Sequence, residues 1–88
     1  AYPQPFRYSQ NSQIYIPVAK SSDATATLNI YSVDMNLVYS CEVNVDVSGN
    51  VLWNGLDKSN KKLGTSVYLY VTERGGEVKK GKIVIYND

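Results

Sequence analysis

The chain has 88 residues, of which 43% are hydrophobic and 19% are charged, and its formal net charge is +1. This length suits one domain, and the composition lies far from the low-hydrophobicity, high-charge range of disordered chains. A charge so close to neutral disfavours nucleic acid as a partner, because polyanion binders need a large excess of Lys and Arg. No run of about 18 apolar residues occurs, so we expect no membrane span.

The residues that most enzymes need for catalysis are missing or scattered. Histidine is absent, which removes the commonest general base and the commonest metal ligand. The lone cysteine, Cys41, can form neither an intrachain disulfide nor a paired-cysteine metal site. Asp34, Asp46 and Asp57 lie in separate turn or strand contexts, where we expect them to stabilise turns. The sequence therefore predicts a domain without enzymatic activity, catalytic residues, metal or cofactor.

The first half of the chain predicts an extended segment followed by three half-buried strands. Ala1–Phe6 is extended and pinned by prolines, and Gln13–Val18 alternates apolar and polar residues. Pro17 lacks a backbone donor and therefore marks a sheet edge or a strand end. Thr25–Val33 is the next strand, and Ser40–Ser48 shows the clearest alternation. Its predicted core-facing residues are Cys41, Val43, Val45 and Val47.

The second half predicts three more strands and no helix. Val51–Trp53 is a short strand between two turns, and Leu56–Thr65 is a long exposed loop. Val67–Thr72 is apolar or aromatic on both faces, which is typical of a covered central strand. Arg74–Glu77 contains consecutive glycines that favour a tight hairpin, and Lys79–Tyr86 returns as its partner. Together these elements predict an all-β fold, a single Ig-like antiparallel β-sandwich of about seven short strands.

Two single residues invite a functional interpretation beside a structural one. Trp53 could stack on a sugar, but the size of its side chain favours a core anchor. Cys41 could be a reactive thiol, but its phase with the neighbouring valines favours a small buried apolar residue.

The lysines concentrate in two regions. Lys58, Lys61 and Lys62 lie in the long loop, and a second group lies on the last strand. If the two regions are neighbours in space, they form a cationic patch for an anionic partner such as phosphorylated lipopolysaccharide. Tyr68 and Tyr70 could add hydroxyls to this patch. Alternatively, the lysines form a solvated rim that protects a strand edge from aggregation. Tyr68 and Tyr70 would then form one packed face of a strand.

Five short motifs follow one another along the chain. They are Tyr2–Phe6 (YPQPF), Leu28–Asp34 (LNIYSVD), Trp53–Asp57 (WNGLD), Val67–Tyr70 (VYLY) and Gly81–Ile85 (GKIVI). In this order and spacing they resemble the C-terminal sorting domains that Bacteroidetes attach to cargo of the type IX secretion system. The same Ig-like pattern occurs in the accessory domain of the flagellar hook cap, so the resemblance supports the fold better than the role.

The resemblance implies that the chain acts as a sorting signal. In this family, cargo enters the periplasm by a signal peptide, and the C-terminal domain is then read by the outer-membrane translocon. In many members a surface transpeptidase removes the domain and joins the cargo to lipopolysaccharide. We therefore expect residues 1–88 to be excised from a longer secreted protein that passes through the periplasm to the cell surface or outer membrane of a Gram-negative bacterium.

A partner could read the domain by adding a strand to an exposed sheet edge. The expected partners are the type IX translocon and the surface attachment complex. By motif match, the main contact is expected on Lys79, Lys80, Gly81, Lys82, Ile83, Val84 and Ile85.

The sequence is also compatible with other functions. The chain could be a retained Ig-like module of a surface attachment complex that binds anionic lipopolysaccharide or glycan through Lys58, Lys61, Lys62 and tyrosine side chains. It could also be a hook-cap accessory domain. Self-association as a homodimer through the strand edge near Pro17 is a further candidate.

Three positions depart from the family pattern. Asn36 and Asn60 stand where the family usually has glycine. Because asparagine tolerates the left-handed backbone conformation, we expect both turns to be preserved. Ser66 stands where glycine precedes the V-Y-x-Y strand, and a locally different backbone is expected there.

Overall fold

The computed structural model of the chain describes all residues, Ala1–Asp88. It contains strands and turns but no helix, so no helix is present that could cross a membrane. The all-β prediction is confirmed. The strands are β1 (Phe6–Arg7), β2 (Ile14–Pro17), β3 (Thr25–Tyr31), β4 (Leu37–Asn44), β5 (Asn50–Trp53), β6 (Ser66–Arg74) and β7 (Glu77–Tyr86).

The strands form two sheets. Five strands pair in the order β1-β7-β6-β3-β4, and β2 pairs with β5 in a second, two-stranded sheet. All neighbours are antiparallel except β1 and β7, which run parallel through Phe6↔Ile85 and Arg7↔Tyr86. The prediction of a wholly antiparallel arrangement is wrong for this pair. These strands come from opposite ends of the chain, so no hairpin dictates their relative direction.

The β6–β7 hairpin follows the prediction closely. Arg74 pairs with Glu77, and the register continues without a shift to Ser66↔Ile85. Gly75 and Gly76 form the turn with φ angles of 60° and 82°. Two consecutive positive φ angles are what a tight hairpin with right-handed strand twist requires, and glycine adopts them without a steric penalty.

The core lies between the two sheets. Trp53 is only 2% exposed, and its indole nitrogen donates a hydrogen bond to the Leu56 carbonyl at 2.9 Å. The prediction of a core anchor is therefore confirmed. The other large hydrophobic side chains that are fully buried are Phe6, Ile14, Ile16, Leu28, Ile30, Val51, Ile83 and Ile85.

The fourth strand departs from its predicted burial. Cys41 pairs with Leu28, and Val43 pairs with Ala26, so the predicted residues do lie on the face of the core. Cys41 is nevertheless exposed, and Val43 is only half-buried. The second sheet has only two strands, and β4 contacts it through part of its length, where the Tyr39 and Trp53 ring centroids lie 5.7 Å apart. The prediction that Cys41 is buried is wrong because alternation identifies the face on which a side chain lies but not whether another residue covers that position.

The predicted strand through Ser48 also ends early. β4 stops at Asn44, and Val47 lies in the following turn with its side chain completely exposed. The Asp46 carboxylate accepts hydrogen bonds from two backbone N–H groups of this turn, both at 2.9 Å. This turn explains why Val47 is outside the core. It also confirms the turn-stabilising role predicted for Asp46.

The backbone predictions at Asn36, Asn60 and Ser66 differ in how well they agree with the structure. Asn60 adopts the left-handed conformation, with φ of 62°, as predicted. In the β3–β4 turn, the left-handed residue is Met35, with φ of 66°, rather than Asn36. Ser66 begins β6 in regular register with Ile85, so the expected backbone change does not occur.

The edge of β2 near Pro17 is partly covered. Tyr2 exchanges two backbone hydrogen bonds with Tyr15, at 3.0 and 2.8 Å, on the side of β2 away from β5. The two rings also stack, with centroids 5.0 Å apart. The N-terminal segment therefore lies against the smaller sheet before it reaches β1.

Candidate functional site

The predicted recognition residues all lie on β7, but they fall into two groups. Ile83 and Ile85 are completely buried and belong to the core. Lys79, Lys80 and Lys82 are exposed, whereas Gly81 and Val84 are half-buried. A partner can therefore reach the first part of the predicted segment through its side chains. The isoleucines of the second part are inaccessible in the folded domain.

The second half of β7 is also covered along its edge. β1 pairs with Ile85 and Tyr86 on the side away from β6. Just before β1, the Gln4 side chain donates a hydrogen bond from Nε2 to the Lys82 carbonyl at 2.6 Å. Its Oε1 accepts a hydrogen bond from the Val84 N–H at 3.0 Å. The Gln4 amide thus pairs with the strand edge as a peptide group of a neighbouring strand would.

Gln4 is not among the site residues predicted from the sequence. Its only sequence signal is its place between Pro3 and Pro5, in a segment where the prolines cannot donate backbone hydrogen bonds. A side chain that carries both a donor and an acceptor can replace the missing backbone pairing there.

The first half of β7 has an open edge. The backbone groups of Lys82 and Val84 that bind Gln4 point away from β6. In an antiparallel pair this direction alternates along the strand, so the N–H and C=O groups of Val78 and Lys80 point the same way. The only neighbour on this side is β1, whose pairing is confined to Ile85 and Tyr86. The edge between the hairpin and Gln4 is therefore free.

The lysines of the open edge form no ion pair within the chain. The chain contains one ion pair, between the Arg7 guanidinium and the Asp88 carboxylate, with an N–O distance of 3.7 Å. Lys79, Lys80 and Lys82 consequently form no ion pair with any carboxylate of the chain. Their charges are available to an anionic partner, with an attraction that salt would screen.

The two tyrosines proposed for an anionic-ligand patch are buried. Tyr68 and Tyr70 are 6% and 7% exposed. The Tyr68 hydroxyl donates a hydrogen bond to the Gly64 carbonyl at 2.8 Å, and burial raises the pKa of Tyr68. The ring of Tyr70 lies against Gly81, its partner in β7. Both side chains point into the core and are therefore unavailable to a surface patch.

The loop lysines are exposed together. Lys58, Lys61 and Lys62 lie between β5 and β6, in a loop that the Asp57 carboxylate closes. One carboxylate oxygen of Asp57 accepts hydrogen bonds from two backbone N–H groups of this loop, at 2.8 and 3.0 Å. The Lys62 ammonium lies 5.3 Å from the ring centroid of Tyr8, within the range of a cation–π interaction.

The two lysine groups do not form one patch. The loop joins β6 at Ser66, which pairs with Ile85, whereas Lys80 pairs with Val71. Lys80 and Ile85 are five positions apart along the strand, which corresponds to roughly 17 Å. Lys79 and Lys80 thus lie far from the point where the loop meets the β6–β7 ladder, whereas Lys82 lies about halfway along β7.

A cavity of about 520 Å³ lies beside the β6–β7 hairpin. Its polar lining includes Asp23, Glu42, Glu73 and Arg74. The Arg74 guanidinium is held by hydrogen bonds to the carbonyl of Asp23, at 2.6 and 2.9 Å. No group of three metal-ligating side chains occurs here or elsewhere in the chain. Arg74 therefore has a structural role, joining the hairpin to the segment before β3.

Comparisons with known proteins support the fold. No protein-family model matches the sequence, and no curated protein matches it. Among solved structures, the chain resembles part of dimeric latent PorU from Porphyromonas gingivalis, with a TM-score of 0.64 and 24% sequence identity. The similarity covers 99% of this chain and 9% of the PorU chain. Nearly all of the present chain thus shares its fold with a small part of a much longer protein.

Proposed function

We propose that the chain is a non-enzymatic C-terminal sorting domain, which directs its parent protein through the type IX secretion system. The parent protein would pass through the periplasm and reach the cell surface or outer membrane of a Gram-negative bacterium. The observation that carries this proposal is the open, cationic edge of β7, because it overlaps the terminal motif of the family that the sequence resembles. The fold that the chain shares with part of dimeric latent PorU is consistent with this proposal.

We also propose that the fold is an Ig-like variant. Two facing sheets around one core are the general architecture of such domains. Here one sheet is reduced to two strands, and β1 joins the other sheet in the parallel direction. An open sheet leaves backbone groups unpaired along its edges, and in this proposal the unpaired part of β7 serves as the recognition element.

Recognition by the translocon would need no catalytic residue in this chain. An added strand obtains affinity from main-chain hydrogen bonds and selectivity from the side chains beside it. In this proposal the translocon and the surface attachment complex are the partners, and β7 supplies the contact. The buried residues Ile83 and Ile85 hold β7 in place.

The test is export of a reporter. A periplasmic reporter with a signal peptide is fused in front of residues 1–88 and expressed in a bacterium with a type IX system and in a matched strain that lacks the translocon. We expect surface reporter in the first strain and periplasmic reporter in the second. Equal surface amounts in both strains, or periplasmic retention in both, would contradict the proposal.

Truncation is a poor control for this test. Removing Gly81–Asp88 also removes Ile83 and Ile85 from the core, so loss of export could reflect unfolding. Substitutions of exposed residues on β7 separate recognition from stability. The reporter without residues 1–88 provides the negative control in both strains.

The loop between β5 and β6 supports a second candidate function. Its three lysines are exposed on one segment and could hold anionic lipopolysaccharide if the domain stays on the surface after export. Reversing the charges of Lys58, Lys61 and Lys62 should then abolish lipopolysaccharide binding by the folded chain. Binding that is unchanged after this reversal would argue against a retained lipopolysaccharide-binding module.

A further inference from the structure

The open part of β7 offers a defined set of backbone groups. Arg74 and Glu77 flank a two-residue turn and therefore form a hydrogen-bonded pair, which directs Val78 and Lys80 outward. The contacts of Gln4 with Lys82 and Val84 indicate the same alternation. The free groups are thus the N–H and C=O of Val78 and of Lys80, together with the N–H of Lys82. A row of this kind is a template for an added strand.

Gln4 marks the end of this template. Its side chain occupies the Lys82 carbonyl and the Val84 N–H, and β1 occupies the edge beyond. A strand that pairs with β7 next to the hairpin would meet the Gln4 side chain after Lys82. The part of β7 that can accept an added strand is therefore shorter than the predicted contact from Lys79 to Ile85.

Lysines border the open edge on both faces of the sheet. Lys80 and Lys82 pair with Val71 and Leu69, on the face away from the core. Lys79 pairs with the buried Thr72 and projects on the opposite face. Side chains of an added strand would lie directly beside these lysines. Carboxylates on that strand would complement them from either face.

The same charges disfavour pairing between two identical edges. Two copies of this chain joined through β7 would bring the lysines of one copy beside those of the other, and like charges in adjacent strands destabilise a sheet. Charge complementarity therefore selects a different occupant, an extended segment that carries Asp or Glu.

We infer that the edge of β7 from Val78 to Lys82 is a strand-addition site for an acidic, extended segment of a partner protein, and that Gln4 sets the end of the site. This inference rests on the proposed function, in which a partner reads this domain, and it specifies the chemistry of that partner. Val78 and Lys80 supply the backbone pairing, and the three lysines supply the selectivity.

The first experiment measures peptide binding to the 88-residue chain. The probe is a short synthetic peptide of glutamate and valine, and its matched control contains lysine in place of glutamate. Amide hydrogen exchange is followed by NMR. We expect the acidic peptide to slow exchange at Val78, Lys80 and Lys82, and the basic peptide to leave it unchanged. Equal effects of the two peptides, or protection elsewhere only, would overturn the inference.

Charge-reversal variants test the selectivity. The double variant Lys80→Glu and Lys82→Glu should weaken binding of the acidic peptide by about tenfold or more, since it replaces two attractive cross-strand pairs with repulsive ones. It should also bind the basic peptide. The matched control is reversal of the loop residues Lys58 and Lys61, which should leave both affinities unchanged. Equal weakening by the two double variants would overturn the inference.

Backbone variants test the mode of binding without altering charge. Val78→Pro removes one outward N–H that takes no part in the β6 ladder. The substitution should therefore weaken peptide binding while the chain stays folded. Val78→Thr is the control and should bind normally. Gln4→Ala should extend peptide-induced protection to Val84. If Val78→Pro binds as well as Val78→Thr in folded samples, strand addition is excluded.

Export of the reporter distinguishes this inference from the proposed function. If the unmodified fusion is exported and the Lys80→Glu, Lys82→Glu fusion is exported equally well, the sorting function stands and the inference fails. If the unmodified fusion is not exported through the type IX system, the sorting function fails. Peptide binding would then still decide whether the edge accepts an acidic strand.

Discussion

The two halves of β7 differ in what surrounds them. From Ile83 to Tyr86 the strand is bonded on both sides, and its isoleucines are buried. From Glu77 to Lys82 it is bonded to β6 along one side, and its lysines face solvent. One continuous strand can thus anchor itself through one half and present an edge through the other. The boundary lies at Gly81 and Lys82, where Tyr70 and Gln4 make contact.

The largest expected effect comes from the buried half. Ile83→Ala should lower the free energy of unfolding by about 2–5 kcal/mol, because it removes core contacts and leaves a cavity. Lys80→Ala, on the open half, should change it by less than about 0.5 kcal/mol. Urea denaturation of the two variants gives the two free energies of unfolding to be compared. Similar losses of stability would show that the halves are not energetically distinct.

Gly81→Ala should have an intermediate effect at the boundary. A Cβ there would lie 2.5 Å from Cζ of Tyr70, whose ring is buried and cannot simply swing into solvent. We expect a loss of about 1–3 kcal/mol in unfolding free energy from overpacking. Gly64→Ala is the matched control, because its Cβ would have no neighbour within 4 Å. Denaturation curves that coincide for the two variants would contradict the close packing at Gly81.

Gln4→Ala should have a smaller effect on global stability and a local effect on the strand edge. The two hydrogen bonds to β7 are exposed, and their loss should cost about 0.5–1.5 kcal/mol each at most. Hydrogen exchange at the Val84 amide should become faster, whereas exchange at the Ile83 amide, which points toward β6, should change much less. Gln10→Ala, at an exposed position, is the control. Unchanged exchange at Val84 would show that Gln4 does not protect the edge.

Acidification should produce the smallest effect, at the end of the buried half. Hydrogen bonds from Ser9 to the Asp88 carboxylate, aided by the charge of Arg7, lower the pKa of Asp88 below its ordinary value of 3.8. A lowered pKa in the folded state means that this tether stabilises the chain above that value. The tether is lost as the pH falls through the folded-state pKa. NMR titration of Asp88 tests this, with Asp88→Asn removing the pH dependence, and a pKa at or above 3.8 would refute it.

Local patterns were sufficient to locate most strands. Alternation identified β2 and β3, the two glycines identified the β6–β7 hairpin, and the size of Trp53 indicated its place in the core. These features depend on residues close together in the chain, where side-chain period and turn conformation follow directly from covalent geometry. The existence of a cationic last strand was also visible in the sequence.

The sequence alone thus determined an all-β chain, its hairpin and the phase of its strands. The tertiary structure decided which faces and edges are covered. It exposes Cys41, although its strand partner Leu28 is completely buried, and it buries Tyr68 and Tyr70 between the sheets. It also brings Gln4 to Lys82, 78 residues away in sequence. Such contacts depend on the order of strands in the sheets and on the shape of the opposing surface, and neither is encoded in a local pattern.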